Sequence, residues 1–149
     1  KDEYKYPCVL ENNREWMLIT PNEIETMKKP ISEATGNVLT YGLGLGYYAY
    51  MVSMKDDIKS VTIVEKDEEI IDLFNKYILP QFKYKSKIKI INDDAFNYFK
   101  KDIYYDYVFV DIWHDPSDGI DLYLKFKSLE KDNIKYSYWI EDTLKCYIE

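Results

Sequence analysis

Three glycines at alternate positions stand out in the run Thr40-Tyr41-Gly42-Leu43-Gly44-Leu45-Gly46-Tyr47. Without Cβ atoms, the backbone at Gly42, Gly44 and Gly46 lets a ligand approach closely. The same triplet also suits a plain tight turn from strand to helix, and the glycines alone do not choose. The dinucleotide fingerprint G-x-G-x-x-G would put its third glycine where Tyr47 stands, so the spacing argues against a nicotinamide cofactor. Glu65 follows about 20 residues beyond the loop, where an acid accepts hydrogen bonds from an unphosphorylated ribose. A solvated carboxylate at a strand end is its plain alternative. Asp93 and Asp94 form an acidic pair. One of them suits a helix cap before Ala95, and Asp94, next to that small residue, also suits an acceptor for an adenine amino group. Asp111, His114 and Asp115 make a third group. His114 is the only histidine, and an imidazole of ordinary pKa could take a proton from an amine or hydroxyl. Ordinary loop hydrogen bonds are the other reading of it. Asp115-Pro116, with Asp118 beyond, reads as helix cap, first position and third position. Trp113 and Tyr47 suit either a stacking wall of a pocket or the core.

The elements that must position these residues follow from the apolar pattern. Short, nearly continuous apolar strands are expected over 38–41, 61–64, 88–91, 107–110 and 136–140. Helices are expected over 47–54, 67–78, 95–101, 117–130 and from 143 to 148. In the second of these, Ile70, Ile71, Phe74 and Ile78 fall at helical spacing. Strands of this kind are buried on both faces, as a parallel sheet requires. With right-handed crossovers the result is a doubly wound, Rossmann-like α/β domain with a mostly parallel sheet, in a minimal five-strand version. Ligands in such sheets bind outside the carboxyl ends of the strands. The glycine loop, Glu65, Asp93-Asp94, Asp111 and Glu141-Asp142 all fall there. Residues 1–35 read as a polar, irregular extension and 36–149 as the cofactor-binding domain. Within the extension, Thr20 caps a short helix, Pro21 takes its first position and Glu23 completes a capping box. That helix is expected to end near Lys28, before Pro30.

At this point the pattern resembles a family. GLGLG after the first strand, an acid after the second, Asp-Ala after the third and an acid after the fourth resemble the class I S-adenosylmethionine-dependent methyltransferases over about residues 36–141. Asp94-Ala95, and Val110-Asp111 with a nearby Asp-Pro, are similar to the spermidine synthase branch. The resemblance implies S-adenosylmethionine as cofactor. It implies that Gly42, Gly44 and Gly46 pass under its methionine part, Glu65 holds the ribose and Asp94 meets the adenine. It implies that Asp111 faces the reacting centre and the cofactor's amino group. Thr40 departs from the acid usual two residues before the first glycine. Asp111-Ile112-Trp113-His114-Asp115-Pro116 has one residue more than the branch's run, and bulky side chains in place of small ones. The branch's amino-terminal β-hairpin is not evident. Only residues 141–149 remain after the fifth strand, too few for a sixth and seventh, so a truncated or minimal domain is expected. A small-molecule methyltransferase is the first expectation. Aminopropyl transfer to a polyamine and a non-catalytic nucleoside-binding module are the alternatives.

Composition narrows the setting. The chain has 149 residues, 46% of them hydrophobic and 17% aromatic, enough for one domain with a core rather than a disordered chain. A net charge of −7 argues against a nucleic-acid partner, because a phosphate backbone is bound by clustered Lys and Arg. All but one of the 20 basic residues are lysine, Arg14 being the exception. Cys8 and Cys146 have no second cysteine or histidine at metal-ligand spacing, so free thiols, no metal site and a cytoplasmic setting are expected. No apolar run is long enough to span a membrane. Carboxylates gathered at one sheet edge favour a small cationic substrate such as an amine. A homo-oligomer stays open.

Overall fold

The chain, described at residues 8–11, 14–18 and 21–149 of a computed structural model, alternates strand and helix from residue 36 onward. The elements are β1 (Cys8–Glu11), β2 (Arg14–Leu18), α1 (Pro21–Glu33), β3 (Gly36–Tyr41), α2 (Tyr47–Ser53), β4 (Ile58–Glu65) and α3 (Glu68–Leu73). After them come β5 (Ile88–Asn92), α4 (Ala95–Phe99), β6 (Tyr107–Val110), α5 (Pro116–Leu129), β7 (Lys135–Tyr138) and α6 (Glu141–Ile148). Five strands pair in the order β5-β4-β3-β6-β7, and every pairing is parallel. The period of two explains the layers. Val38, Tyr107 and Phe109 enter one core, against Met27 of α1, Tyr48 and Val52 of α2, and Phe74. Their neighbours Leu39, Tyr41, Val108 and Val110 enter the other, against Phe99 of α4, Phe126 of α5 and Leu144 of α6. Helices therefore cover both faces, as the apolar strands demand. No helix among the described residues is long and apolar enough to cross a membrane.

Four local expectations are revised. First, β1 and β2 form an antiparallel pair ahead of the sheet, where the sequence reading expects an irregular extension and sees no hairpin. Second, α1 does not end before Pro30 but runs on to Glu33. A proline inside a helix removes one hydrogen bond and costs roughly 3 kcal/mol. Here other elements hold the last turn. The Tyr48 hydroxyl donates to the Pro30 carbonyl (3.0 Å), and the Lys55 ammonium donates to the carbonyls of Ile31 (2.8 Å), Ser32 (3.1 Å) and Ala34 (2.6 Å). The expected Thr20 cap lies outside the described residues.

Third, the helix after β4 keeps its apolar face but not its regularity. Asp67 caps α3, and the chain then widens into a π-helical turn over Phe74–Ile78. That turn carries Phe74 beneath the glycine loop, where it is 1% exposed. Fourth, β7 ends at Tyr138, and Ile140 adopts φ 49°, rare for a β-branched residue. This bend starts α6 at Glu141, so Glu141 and Asp142 belong to its first turn instead of ending the strand. Glu141 accepts the Tyr123 hydroxyl at 2.7 Å, which ties α6 to α5. Cys146 is a free, exposed thiol.

Candidate functional site

The hydrogen-bond ladder continues one step past the strands, which sets the candidate residues on one shelf. Gly42 N–H donates to the Val64 carbonyl (2.9 Å), Asp111 N–H to Tyr41 (2.9 Å), Asp93 N–H to Glu65 (3.2 Å) and Trp139 N–H to Val110 (2.9 Å). The glycine loop, Glu65, Asp93-Asp94 and Asp111 therefore leave the sheet together, at its carboxyl edge. A cavity of about 20 Å³ is lined in part by Ile103, Tyr105 and Ile134, which precede β6 and β7. It lies at the opposite edge and has room for about one water molecule.

The three glycines have three different reasons to be glycine. All have positive φ, at 98°, 56° and 84° for Gly42, Gly44 and Gly46. A Cβ at Gly42 would lie 2.1 Å from the Asp111 carbonyl oxygen, and one at Gly46 would lie 2.5 Å from the Phe74 ring. Those two are required by packing. A Cβ at Gly44 would meet nothing within 4 Å. Gly44 alone presents bare backbone to open space.

Glu65 grips this loop. Its Oε1 accepts the Leu43 N–H at 2.9 Å and its Oε2 accepts the Asp67 N–H at 3.1 Å. A carboxylate has about four lone-pair sites, so two remain for a ribose. Asp94 is the helix cap of its pair. Its Oδ2 accepts the N–H groups of Phe96 (3.0 Å) and Asn97 (3.1 Å), while Oδ1 takes no hydrogen bond from the described residues. Asp93 Oδ1 in turn accepts the Asp94 N–H at 2.8 Å. Capping and ligand contact are thus compatible in Asp94.

Asp111 is the most perturbed acid. Burial pushes its carboxyl up to about 7, the like charge of Glu23 adds to the rise, and His114 partly opposes it. None of the described residues hydrogen-bonds to this carboxyl or forms an ion pair with it. Burying an acid without a partner is costly, and strongly perturbed groups gather at functional sites.

His114 does not join Asp111 in the cleft. Its side chain is 94% exposed, and its Nδ1 lies 3.2 Å from Asp118 Oδ2. The cause is the start of α5. Asp115 caps it through the Ser117 N–H (2.7 Å), and Asp118 accepts the N–H groups of Asp115 (3.0 Å) and His114 (3.1 Å). That capping box turns the ring toward solvent. The Trp113 indole is 3% exposed, stacks on Tyr138 with centroids 6.2 Å apart, and donates to the Trp139 carbonyl at 3.1 Å. It is core and not a pocket wall. Tyr47 packs against the α1–α2 side of the sheet.

The residue that sequence reasoning missed is Glu23. Its helix is anchored over the shelf by the Trp139 indole, which donates to Thr26 Oγ1 at 2.9 Å. Glu23 lies one turn before Thr26 on the same face. Burial raises its carboxyl above the ordinary range. A position in the first turn of a helix reads as a cap partner, and nothing in the spacing to Asp111 points to the encounter.

Fold and strand order define a Rossmann-like domain of the methyltransferase type. Within that class the chain belongs to the spermine/spermidine synthase family, whose domain matches residues 20–132. The match includes Glu23 and every glycine and carboxylate of the shelf through Asp111. No curated protein sequence matches the chain. Among solved structures it is similar to spermidine synthase from Thermotoga maritima, with TM-score 0.59 and 20% identity over 82% of this chain and 46% of that one. It is similar to the C-terminal domain of precorrin-6Y C5,15-methyltransferase from Rhodobacter capsulatus (TM-score 0.59, 15% identity, 87% and 70% of the two chains). It is also similar to a dimethyladenosine transferase from Plasmodium falciparum (TM-score 0.56, 16% identity, 89% and 46%). The chain spans about half the length of the Thermotoga enzyme.

Proposed function

We propose that the protein transfers an alkyl group from an adenosyl sulfonium to the nitrogen of a small amine, with S-adenosylmethionine as donor. The observation that carries this reading is the Asp111 carboxyl, desolvated and without a partner among the described residues, at the strand end that abuts the glycine loop. The open backbone at Gly44 and the spare acceptors of Glu65 and Asp94 fit an adenosyl group. Two lone-pair sites of Glu65 would take the ribose hydroxyls. Asp94 Oδ1 would take the adenine amino group. When bound, the sulfonium supplies an electrophilic carbon, whose C–S bond breaks as the C–N bond forms while sulfur keeps the electron pair. An ammonium acceptor must first lose a proton. Asp111, held near pH 7, takes it at its carboxylate and frees the nitrogen lone pair. The rest is positioning.

Aminopropyl transfer from the decarboxylated donor is a second reading. It is favoured by the like charge of Glu23 and Asp111, which a donor lacking a carboxylate would not meet with repulsion. Thermal unfolding with S-adenosylmethionine, its decarboxylated form, S-adenosylhomocysteine, methylthioadenosine and NAD tests both. A ligand at 100 times its Kd stabilises by about 2.7 kcal/mol. Adenosyl sulfur compounds are expected to raise the Tm, and the donor with the larger effect identifies the group transferred. A shift with NAD alone, or with none of them, contradicts both readings.

A further inference from the structure

We propose that the surface formed by the end of α2 and the turn before β5 binds single-stranded nucleic acid, with Lys83 and Lys85 on its phosphates and the Tyr50 and Tyr84 rings against its bases. The inference is independent of the proposed transfer chemistry and concerns the other end of the strands.

Charge is not spread evenly along the chain. Residues 73–92 hold five lysines and no acid, so all 27 acidic residues lie outside them. The net charge of −7, which argues against a nucleic-acid partner, averages over this contrast. None of the five lysines forms an ion pair with a described residue. Asp57, which neighbours the surface, is countered by Lys55 at 3.9 Å. Two contacts join the segment to α2. The Tyr50 ring meets Phe82 edge-on, with centroids 5.2 Å apart, and Lys87 donates to the carbonyls of Ser53 (2.9 Å) and Lys55 (3.1 Å). The ammonium groups of Lys83 and Lys87 lie 5.4 and 4.9 Å from the centre of the Tyr84 ring. Helix α2 starts at the glycine loop and ends just before β4, and the turn over 82–87 leads into β5. The surface therefore lies at the amino edge of the sheet, away from the shelf of carboxylates. Tyr50, Met54 and Tyr84 are three of the eight large apolar side chains left exposed among the described residues. Unpaired cations gathered in this way repel one another, and a polyanion relieves the repulsion. The rings select which polyanion. Bases stack on flat aromatic faces while cations follow the backbone, which is how single strands are held without sequence preference. An acidic peptide needs only the charges. A bilayer calls for an amphipathic helix with Trp, Phe or Leu along its apolar face, and α2 has only seven residues.

The test is fluorescence anisotropy of a labelled oligothymidylate, titrated with the protein between about 50 and 200 mM salt. Affinity is expected to fall with salt, with a slope of about −0.7 in log K for each phosphate contacted. Lys83→Glu combined with Lys85→Glu should weaken binding at least tenfold and flatten the slope, and Lys83→Gln with Lys85→Gln should fall between that and the parent. Tyr84→Leu keeps the bulk and loses the flat ring. It should weaken binding about fivefold and leave the slope as it was. These side chains are exposed, so the fold is expected to persist, and thermal melting checks it. Lys145→Glu, on α6 over the other face of the sheet, should match the parent protein. Poly-aspartate and phosphatidylserine vesicles, added at equal charge, should not displace the oligonucleotide. No binding to the oligonucleotide, equal binding by the lysine variants, unchanged affinity in Tyr84→Leu, or displacement by either competitor would each overturn the proposal, the last by assigning the surface to an acidic peptide or a membrane.

Discussion

Gly44 and Asp111 separate what the fold needs from what a ligand needs. Gly42 and Gly46 are fixed by contacts at 2.1 and 2.5 Å, whereas Gly44 faces open space. Gly42→Ala drives a methyl group into a backbone carbonyl, which cannot swing aside, so a loss of more than about 3 kcal/mol is expected. Gly44→Ala meets only the left-handed backbone, at a cost of about 1–2 kcal/mol, yet it should weaken an adenosyl ligand at least tenfold. Urea unfolding and ligand calorimetry on the pair check this, and a Gly44→Ala protein that binds as before would remove the loop from the site. Asp111 makes the opposite kind of prediction. Its carboxyl is raised to about 7 in the fold and is near 3.9 when unfolded. Between those values the folded chain holds a proton that the unfolded chain has lost, so stability falls as pH rises through that window. The full shift corresponds to something on the order of 4 kcal/mol. Asp111→Asn should therefore be more stable than the parent at pH 8 and close to it at pH 4.5, by urea unfolding. A variant no more stable at pH 8 would show that Asp111 is not held desolvated. At this scale the sequence was informative about chemistry and blind to orientation. Glu65, Asp94 and Asp111 reach the shelf because strand ends are readable from short apolar runs. His114 points away because the four-residue capping box from Asp115 to Asp118 turned it, although both cap residues were visible in the sequence.

At the scale of elements, tertiary contacts overrode local rules in the places that shape the site. Helix α1 passes through Pro30 because Lys55 and Tyr48 satisfy its last carbonyls. Lysine does similar work elsewhere. Lys87 donates to the carbonyls of Ser53 (2.9 Å) and Lys55 (3.1 Å) at the end of α2, and Lys131 donates to Phe99 (3.1 Å) and Lys101 after α4. A cation at a helix carboxyl end also meets the favourable end of its dipole. Lys55→Met keeps the stem and removes the ammonium. It should cost on the order of 2 kcal/mol and speed amide exchange over residues 31–34 ahead of the rest of α1. Uniform exchange along α1 would show that the helix end stands without Lys55. The apolar periodicity disclosed every strand of the sheet and the helix pattern between them. It did not disclose the π-helical turn at Phe74–Ile78, because one widened turn leaves Ile70, Ile71, Phe74 and Ile78 at almost the same spacing. Nor did it disclose the bend at Ile140, since a β-branched residue in the left-handed region runs against its own preference.

For the whole molecule, strand order does what local sequence cannot. The order β5-β4-β3-β6-β7 puts β3 in the middle, so the glycine loop is flanked by Glu65 on one side and Asp111 on the other. Right-handed crossovers made a doubly wound parallel sheet legible, whereas the neighbour order of the strands is a finding of the structure. The arrival of α1 over the same edge was not legible, because it depends on Trp139 reaching Thr26, two residues at opposite ends of the chain. A net charge of −7 is in part concentrated at this edge, where Glu65, Asp93, Asp94 and Asp111 leave the strands. The central claim is that this edge, and not the small apolar cavity at the other end of the strands, holds an adenosyl sulfur compound. The most direct measurement is a crystal structure of the protein with S-adenosylhomocysteine. The account predicts the ribose on Glu65, the adenine amino group on Asp94, and the sulfur above Gly44 on the Asp111 side. Ligand bound anywhere else, or at this edge with Glu65 and Asp111 both untouched, would contradict it.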